Sequence, residues 1–261
     1  MSNKSEELRS FSSPIIPNTI RHAFFTRHGG KSRGDFSSLN FTSKYGDAPE
    51  FVQENKKIVA NFFAAQFQQL KTAKQIHSAK VLEITDINQD VSVIEADALV
   101  TRLPGIILGM STADCVPILL CDPDANIVAA IHAGWRGAIQ GVIPNTVQTM
   151  KRLGGKVDRI CAVIGPAIQQ TSYEVDQEFY NGFLSQAPIN AKYFVSGKTA
   201  GKYMFNLPAY CHQQLTSLDV IKLDNLELNT YTNPDLFFSC RRSTHEGNKF
   251  GCQLSAIMLE G

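Results

Sequence analysis

The sequence predicts a layered α/β or α+β fold, and three observations carry that prediction. Apolar runs of strand length recur along the chain. Helical stripes of apolar residues separate several of them, and Gly- or Pro-containing turns punctuate the two. At 261 residues the chain can bury a large core as one domain. Neither an internal repeat nor a low-complexity tract divides it, so one domain over 13–261 is expected, behind a polar, disordered N-terminal tail over 1–12.

The elements follow in order. Residues 22–27 (HAFFTR) read as a strand entering the Gly29-Gly30 turn. Asp47, Pro49 and Glu50 open a helix that runs to about Phe67, with Val52, Ile58, Val59, Phe62 and Phe63 as its apolar side. Strands are expected at 80–87, 97–100, 105–110, 116–121 and 127–132, the last ending on His132. Gly134 to Gly137 reads as a turn, after which Ile139, Val142, Ile143, Val147 and Met150 form a helical stripe. Pro144 interrupts that stripe and predicts a kink or restart. A strand at 159–164, a helix near 175–185, a strand near 203–206 and a helix near 207–217 come next. Strands near 220–224, 236–240 and 253–259 complete the chain.

Bulk properties exclude several function classes. A formal net charge of +1 gives no footprint for nucleic acid or an anionic membrane. The N-terminal residues lack the apolar region of a secretory signal, and no apolar run reaches the ~18 residues of a membrane span. A cytoplasmic protein without nucleic-acid or membrane partners is expected. None of the six cysteines forms a C-x-x-C pair, which argues against a zinc ribbon or a thioredoxin-type redox site. In the cytosol they should remain thiols.

Chemistry concentrates in three stretches: Gln75-Ile76-His77-Ser78, Thr112-Ala113-Asp114-Cys115 and Ile131-His132-Ala133-Gly134-Trp135-Arg136-Gly137. Together they offer two imidazoles and a thiolate, the donor types of a metal site with an open position. Strand-end loops of this kind are where rigid scaffolds hold functional side chains. Bland readings stand beside this one. His132 could be a core histidine, Asp114 a turn cap, Trp135 a core aromatic and Arg136 a carboxylate partner. The long gaps between the stretches require tertiary assembly.

The motifs IHAGWRG, TADCVPILL, QIHSAKV, ADALVT, FFTRHGG and FSSLN, with VIGPAI, SYEV and FFSCRRS, span roughly residues 20 to 259. In this the chain resembles the YfiH-like family, also called laccase-domain, polyphenol oxidase and peptidoglycan editing factor. The resemblance implies a four-layer α/β/β/α sandwich with mixed sheets, and a catalytic zinc on His77, Cys115 and His132. It also implies phosphorolysis of adenosine, inosine, guanosine or methylthioadenosine, with deamination of adenosine as a second activity. Zinc with three protein ligands suits both reactions, since it lowers the pKa of bound water to ~7. Arg27 and Arg136 become candidate phosphate binders, because a guanidinium grips two oxygens, and Asn40 a candidate ribose contact. Copper(II) is the alternative ion, because it outcompetes zinc at many sites. Whether the chain is a monomer or a homodimer stays open.

The sequence departs from the family pattern at Ser78, where glycine is usual, and at Ala167, where cysteine is common. Lys249-Phe250-Gly251-Cys252 replaces the family's T-G-R and removes an expected arginine. Multicopper laccase chemistry would use about ten histidines, and the chain has six. A cytidine-deaminase-type site would need H-x-E and P-C-x-x-C, and neither occurs. Three alternatives remain: a cysteine hydrolase editing peptidoglycan precursors, with Cys115 as nucleophile and His132 as base, a non-enzymatic structural zinc site, and a copper-dependent polyphenol oxidase with a single copper.

Overall fold

The computed structural model describes residues 7–261. Its first half comprises β1 (Ser10–Phe11), β2 (Ile20–Phe25), α1 (Pro49–Phe62), β3 (Leu70–Lys71), β4 (Val81–Ile84), β5 (Ala98–Thr101) and β6 (Ile107–Thr112). β7 (Val116–Asp122), β8 (Ile127–Ala133), α2 (Trp135–Gln140), α3 (Val142–Arg152) and β9 (Cys161–Ile164) follow. The last third holds β10 (Glu174–Asp176), α4 (Gln177–Gln186), β11 (Phe194–Ser196), β12 (Lys202–Phe205), α5 (Leu207–Thr216), β13 (Lys222–Asn225), α6 (Cys240–Glu246) and β14 (Gln253–Leu259).

Two mixed sheets form the centre, with strand orders β1-β2-β14-β6-β3 and β13-β9-β7-β8-β5-β4. Side-chain alternation explains why they stack. Along β7, Ile118 and Leu120 face the outer helices α3 and α5, while Leu119 and Cys121 face the other sheet. β8 splits the same way, with Ala129 and Ile131 outward and Val128 and Ala130 inward. Phe24 of β2 and Leu108 and Met110 of β6 enter the inter-sheet layer, while Ala23 and Phe25 pack under Val59, Ala60 and Phe63 at the end of α1. The result is the expected α/β/β/α sandwich. Strands buried on both faces read as continuous apolar runs, and for that reason β7 and β8 stand out in the sequence. A small third sheet, β10-β12-β11, lies against the α3–α5 side with Phe183 and Phe205 in its core.

Several boundaries differ from the sequence expectation. α1 stops at Phe62 rather than near Phe67, because Ala64 takes a left-handed φ of 54° and Ala65 N–H donates to the Ala60 carbonyl at 2.9 Å. The stop carries no glycine to announce it. The 134–137 segment is not a free turn: Gly134 caps α2, and the break falls at Gly141, with φ 96°, before α3 restarts. No strand forms at 236–240. Phe237 and Phe238 are buried in a loop whose carbonyls, at Phe237, Thr230 and Tyr231, accept from the Arg242 guanidinium, and Ser239 caps α6. An arginine there replaces a sheet partner. The expected tail over 1–12 falls partly outside the described residues, and Ser10 and Phe11 are ordered as β1, paired with Phe25 and Phe24. Among the described residues no helix is long and apolar enough to cross a membrane.

Candidate metal centre

Two strand ends and a turn converge. Pairing of β7 with β8 sets Pro117 opposite His132, and pairing of β5 with β8 sets Ala98 opposite Ile131. Cys115 therefore sits one residue before β7 and beside the end of β8, on a bend where Asp114 has φ 87°. His77 follows β3 in a turn with its own left-handed φ of 60°. Two such non-glycine positions at one place store strain that the surrounding hydrogen bonds must hold. Donor atoms of His77, Cys115 and His132 all lie within 4.8 Å of one another, and the two imidazoles meet edge-on at 4.7 Å.

Asp97, at the entry to β5, organises the group. Its Oδ1 accepts from His132 Nδ1 at 2.8 Å and from His77 N–H at 2.9 Å. Its Oδ2 accepts from Ser78 N–H at 2.6 Å and the Ser78 hydroxyl at 2.7 Å. The serine that departs from the family's glycine thus adds a donor to this carboxylate. Burial opposes ionisation of Asp97, yet the His132 and Ser78 donors outweigh it and hold the carboxyl at about 2. With Nδ1 engaged by Asp97, His132 is left with Nε2 as its free donor atom.

The donor set suits a soft divalent metal. Burial lowers His77 to about 4, with His132 adding to the effect and Asp97 opposing it, so the ring is neutral at physiological pH. His77 Nδ1 is buried without a hydrogen-bond partner. Burial, reinforced by Asp114, pushes the Cys115 thiol up, so a thiolate here calls for a cation beside it. Gly134 keeps the space clear: a Cβ there would stand 2.4 Å from His77 Nδ1 and 3.2 Å from Cys115 Sγ. The residues fit a zinc ion.

The group lies on the wall of a cleft of about 420 Å³, within the range of small-molecule sites. Phe41, Tyr45 and Phe250 give it aromatic faces, and Lys44, Lys56 and Lys74 give it positive charge. The other expected contacts do not reach it. Arg27 donates to the carbonyls of Ser37 at 2.7 Å and Pro234 at 3.0 Å and covers the Phe238 ring. Asn40 is fully buried, with its amide donating to the Thr42 carbonyl and Asp47 and accepting from Thr42 and Cys252 N–H. Both residues hold loops. Arg136 stacks over Trp135 at 4.4 Å and lines a separate groove with Tyr173 and Arg241. Asp97 was missed in the sequence because an aspartate entering an apolar strand reads as a flank. Its one signal was a charged residue ahead of a fully apolar run. Lys44 and Lys56 carried no signal, since isolated lysines usually face water.

A family model described as multi-copper polyphenol oxidoreductase laccase matches residues 21–260. The chain belongs to this family. The purine nucleoside phosphorylase of Rickettsia conorii is 39% identical over 213 residues, 80% of this chain and 85% of that protein. The purine nucleoside phosphorylase YfiH of Escherichia coli is 33% identical over 234 residues, 88% of this chain and 92% of that one. Among solved structures, Neisseria meningitidis protein NMB0706 superposes with a TM-score of 0.85 at 32% identity, covering 97% of this chain and 99% of its own. YlmD from Geobacillus stearothermophilus gives 0.88 at 26% identity, with coverage of 100% and 98%. Among the described residues of this family member, one His/Cys/Asp/Glu group converges closely enough that it could hold a metal ion. Three donors are far fewer than a multicopper centre uses.

Proposed function

We propose that the protein is a zinc-dependent purine nucleoside phosphorylase. It would convert adenosine, inosine, guanosine or methylthioadenosine and phosphate to the free base and the pentose 1-phosphate. Hydrolytic deamination of adenosine to inosine and ammonia would be its second activity. The observation that carries the reading is the meeting of His77, Cys115 and His132 on the wall of a cleft with aromatic and cationic sides. Relatives named purine nucleoside phosphorylase along most of the chain support the substrate class.

His77, Cys115 and His132 would hold the metal on the wall of the cleft. Bound zinc supplies a Lewis acid that polarises oxygen and lowers the pKa of a water ligand to ~7. The protein's own groups do the rest. Asp97 keeps the His132 proton on Nδ1, and through the backbone of His77 and Ser78 it fixes the first histidine's turn. The faces of Phe41, Tyr45 and Phe250 offer stacking surfaces for a purine. Cys115 acts as a thiolate ligand rather than a hydrolase nucleophile. A nucleophilic cysteine needs its thiol lowered by a partner, and burial pushes this one up.

Metal-loaded protein incubated with adenosine and phosphate should give adenine and ribose 1-phosphate, together with inosine. Activity should track zinc content measured by elemental analysis, which also separates zinc from copper. Absence of both reactions in protein carrying stoichiometric zinc overturns the reading, and so does activity that survives chelation.

A further inference from the structure

The cleft beside the metal-ligand group has an uneven charge. Its lining includes Lys44, Lys56 and Lys74 and no aspartate or glutamate. Lys74 pairs with Glu95 at 3.2 Å, a carboxylate it shares with Lys80 at 3.1 Å. Lys44 and Lys56 form no ion pair with any described residue. Lys44 stands over the Tyr45 ring at 5.6 Å on the cleft wall. Lys56, half-buried on α1, donates to Thr72 Oγ1 at 3.3 Å.

Comparison with a nearby lysine shows what Lys56 lacks. Lys71, buried on β3, donates to the Gln89 carbonyl at 2.9 Å, and Asp90 and Asp86 sustain its charge. Burial lowers the pKa of both lysines, but no neighbouring carboxylate compensates Lys56. Desolvating an ammonium without a counter-charge is costly, and proteins retain such groups where an anion comes to meet them. A second, independent feature lies in the same cleft. Thr112 Oγ1 is buried on its wall and has no hydrogen-bond partner.

We propose that Lys56 and Lys44, with the hydroxyls of Thr72 and Thr112, form the seat of a phosphate dianion in this cleft. The seat moves anion recognition from Arg27 and Arg136 to residues beside the metal-ligand group. Its assignment to the inorganic co-substrate rests on the phosphorylase reading; the seat itself does not. The same oxygens could belong to the phosphoryl group of a nucleoside 5′-monophosphate. Lysines with hydroxyls suit such a ligand, because ammonium groups act as point charges on phosphate oxygens.

The test is isothermal titration of zinc-loaded protein with inorganic phosphate and, separately, with adenosine 5′-monophosphate. Wild type, Lys56→Met and Lys44→Met are compared, methionine keeping the apolar stem. Losing one charge-assisted hydrogen bond should weaken phosphate binding at least about tenfold in each variant. KM for phosphate should rise by a similar factor, more than KM for nucleoside. Should Lys56→Met fail to fold, Lys44→Met on the exposed loop still decides the matter. Unchanged phosphate affinity in the folded variants overturns the seat, as does a wild type that binds neither ligand. Lysine-dependent binding of the monophosphate alone supports the seat and assigns it to a nucleotide. Lysine-dependent phosphate binding without phosphorolysis supports the seat and defeats the phosphorylase reading.

Discussion

Two buried aspartates flank the candidate metal site, and their surroundings drive them in opposite directions. Asp97 accepts from His132 Nδ1, the Ser78 hydroxyl and the backbone N–H groups of Ile76, His77 and Ser78, and it is held at about 2. Asp114 accepts from the Thr230 hydroxyl at 2.6 Å and Arg241 N–H at 2.7 Å. Burial dominates there and raises its pKa. Burial is common to both, so the donors decide. Their identity also separates two jobs. Asp97 draws on His77, His132 and the residues flanking His77, whereas Asp114 ties the bend before β7 to the loop at Thr230 and the start of α6.

Removing what both carboxylates flank should have the largest effect. Cys115→Ala should reduce bound zinc from stoichiometric to trace and abolish turnover. A buried thiol is a small loss of packing, so folding should cost only about 1 kcal/mol. Elemental analysis, an activity assay and a melting curve check this together. If zinc is retained, Cys115 is not a ligand. Gly134→Ala attacks the same space from the other side. Its Cβ would crowd His77 Nδ1 and Cys115 Sγ, so zinc should again be lost while the cysteine remains. Normal zinc content in that variant would show that the backbone has room to shift.

Asp97→Asn and Asp114→Asn then sharpen the contrast. An asparagine at 97 must turn its NH2 group toward backbone N–H donors, whichever way the amide is placed. Zinc affinity, read by chelator competition, should fall about 10–100-fold, as for other partners of ligating histidines. At 114 the Thr230 hydroxyl can rotate and accept from the new amide, while the remaining oxygen keeps Arg241 N–H. Zinc affinity should stay within about twofold of wild type, the error of such cycles. Equal losses in the two variants would erase the distinction.

The contrast also explains what the sequence could disclose. β7 and β8 are legible because both faces are buried, and His77, Cys115 and His132 stand out because histidine and cysteine beside apolar strands are chemically unusual. Asp97 is silent, since its importance comes from the β5–β8 pairing that sets it beside His132. Asn40 and Arg27 present the converse case. They sit beside glycine turns and serine pairs that resemble a binding loop, and in the structure they bond the Thr42, Ser37 and Pro234 carbonyls and the Asp47 carboxylate. The 236–240 run misleads because Arg242, a side chain, satisfies carbonyls that a strand would pair with a neighbour. Local patterns report burial well and report the identity of distant partners poorly.

The smallest expected effect lies in the pH dependence of stability, measured by denaturant unfolding in chelator so that metal affinity does not enter. The Asp97 carboxyl is held at about 2 in the folded chain, below the ordinary aspartate value of 3.8. The unfolded chain therefore binds more protons between those values, and stability falls as pH drops through them. The shift corresponds to about 2 kcal/mol, fully present above the unfolded value. The advantage of wild type over Asp97→Asn should thus be greatest near neutrality and shrink in acid. For Asp114 the sign reverses. Its folded pKa is raised, so the native state binds more protons above the unfolded value, and stability falls as pH rises through the raised one. The advantage of wild type over Asp114→Asn should be greatest in acid and shrink toward neutrality. Opposite slopes would show that the two carboxylates differ electrostatically as their hydrogen bonds differ. Parallel slopes would mean that the five donors at Asp97 do not outweigh its burial.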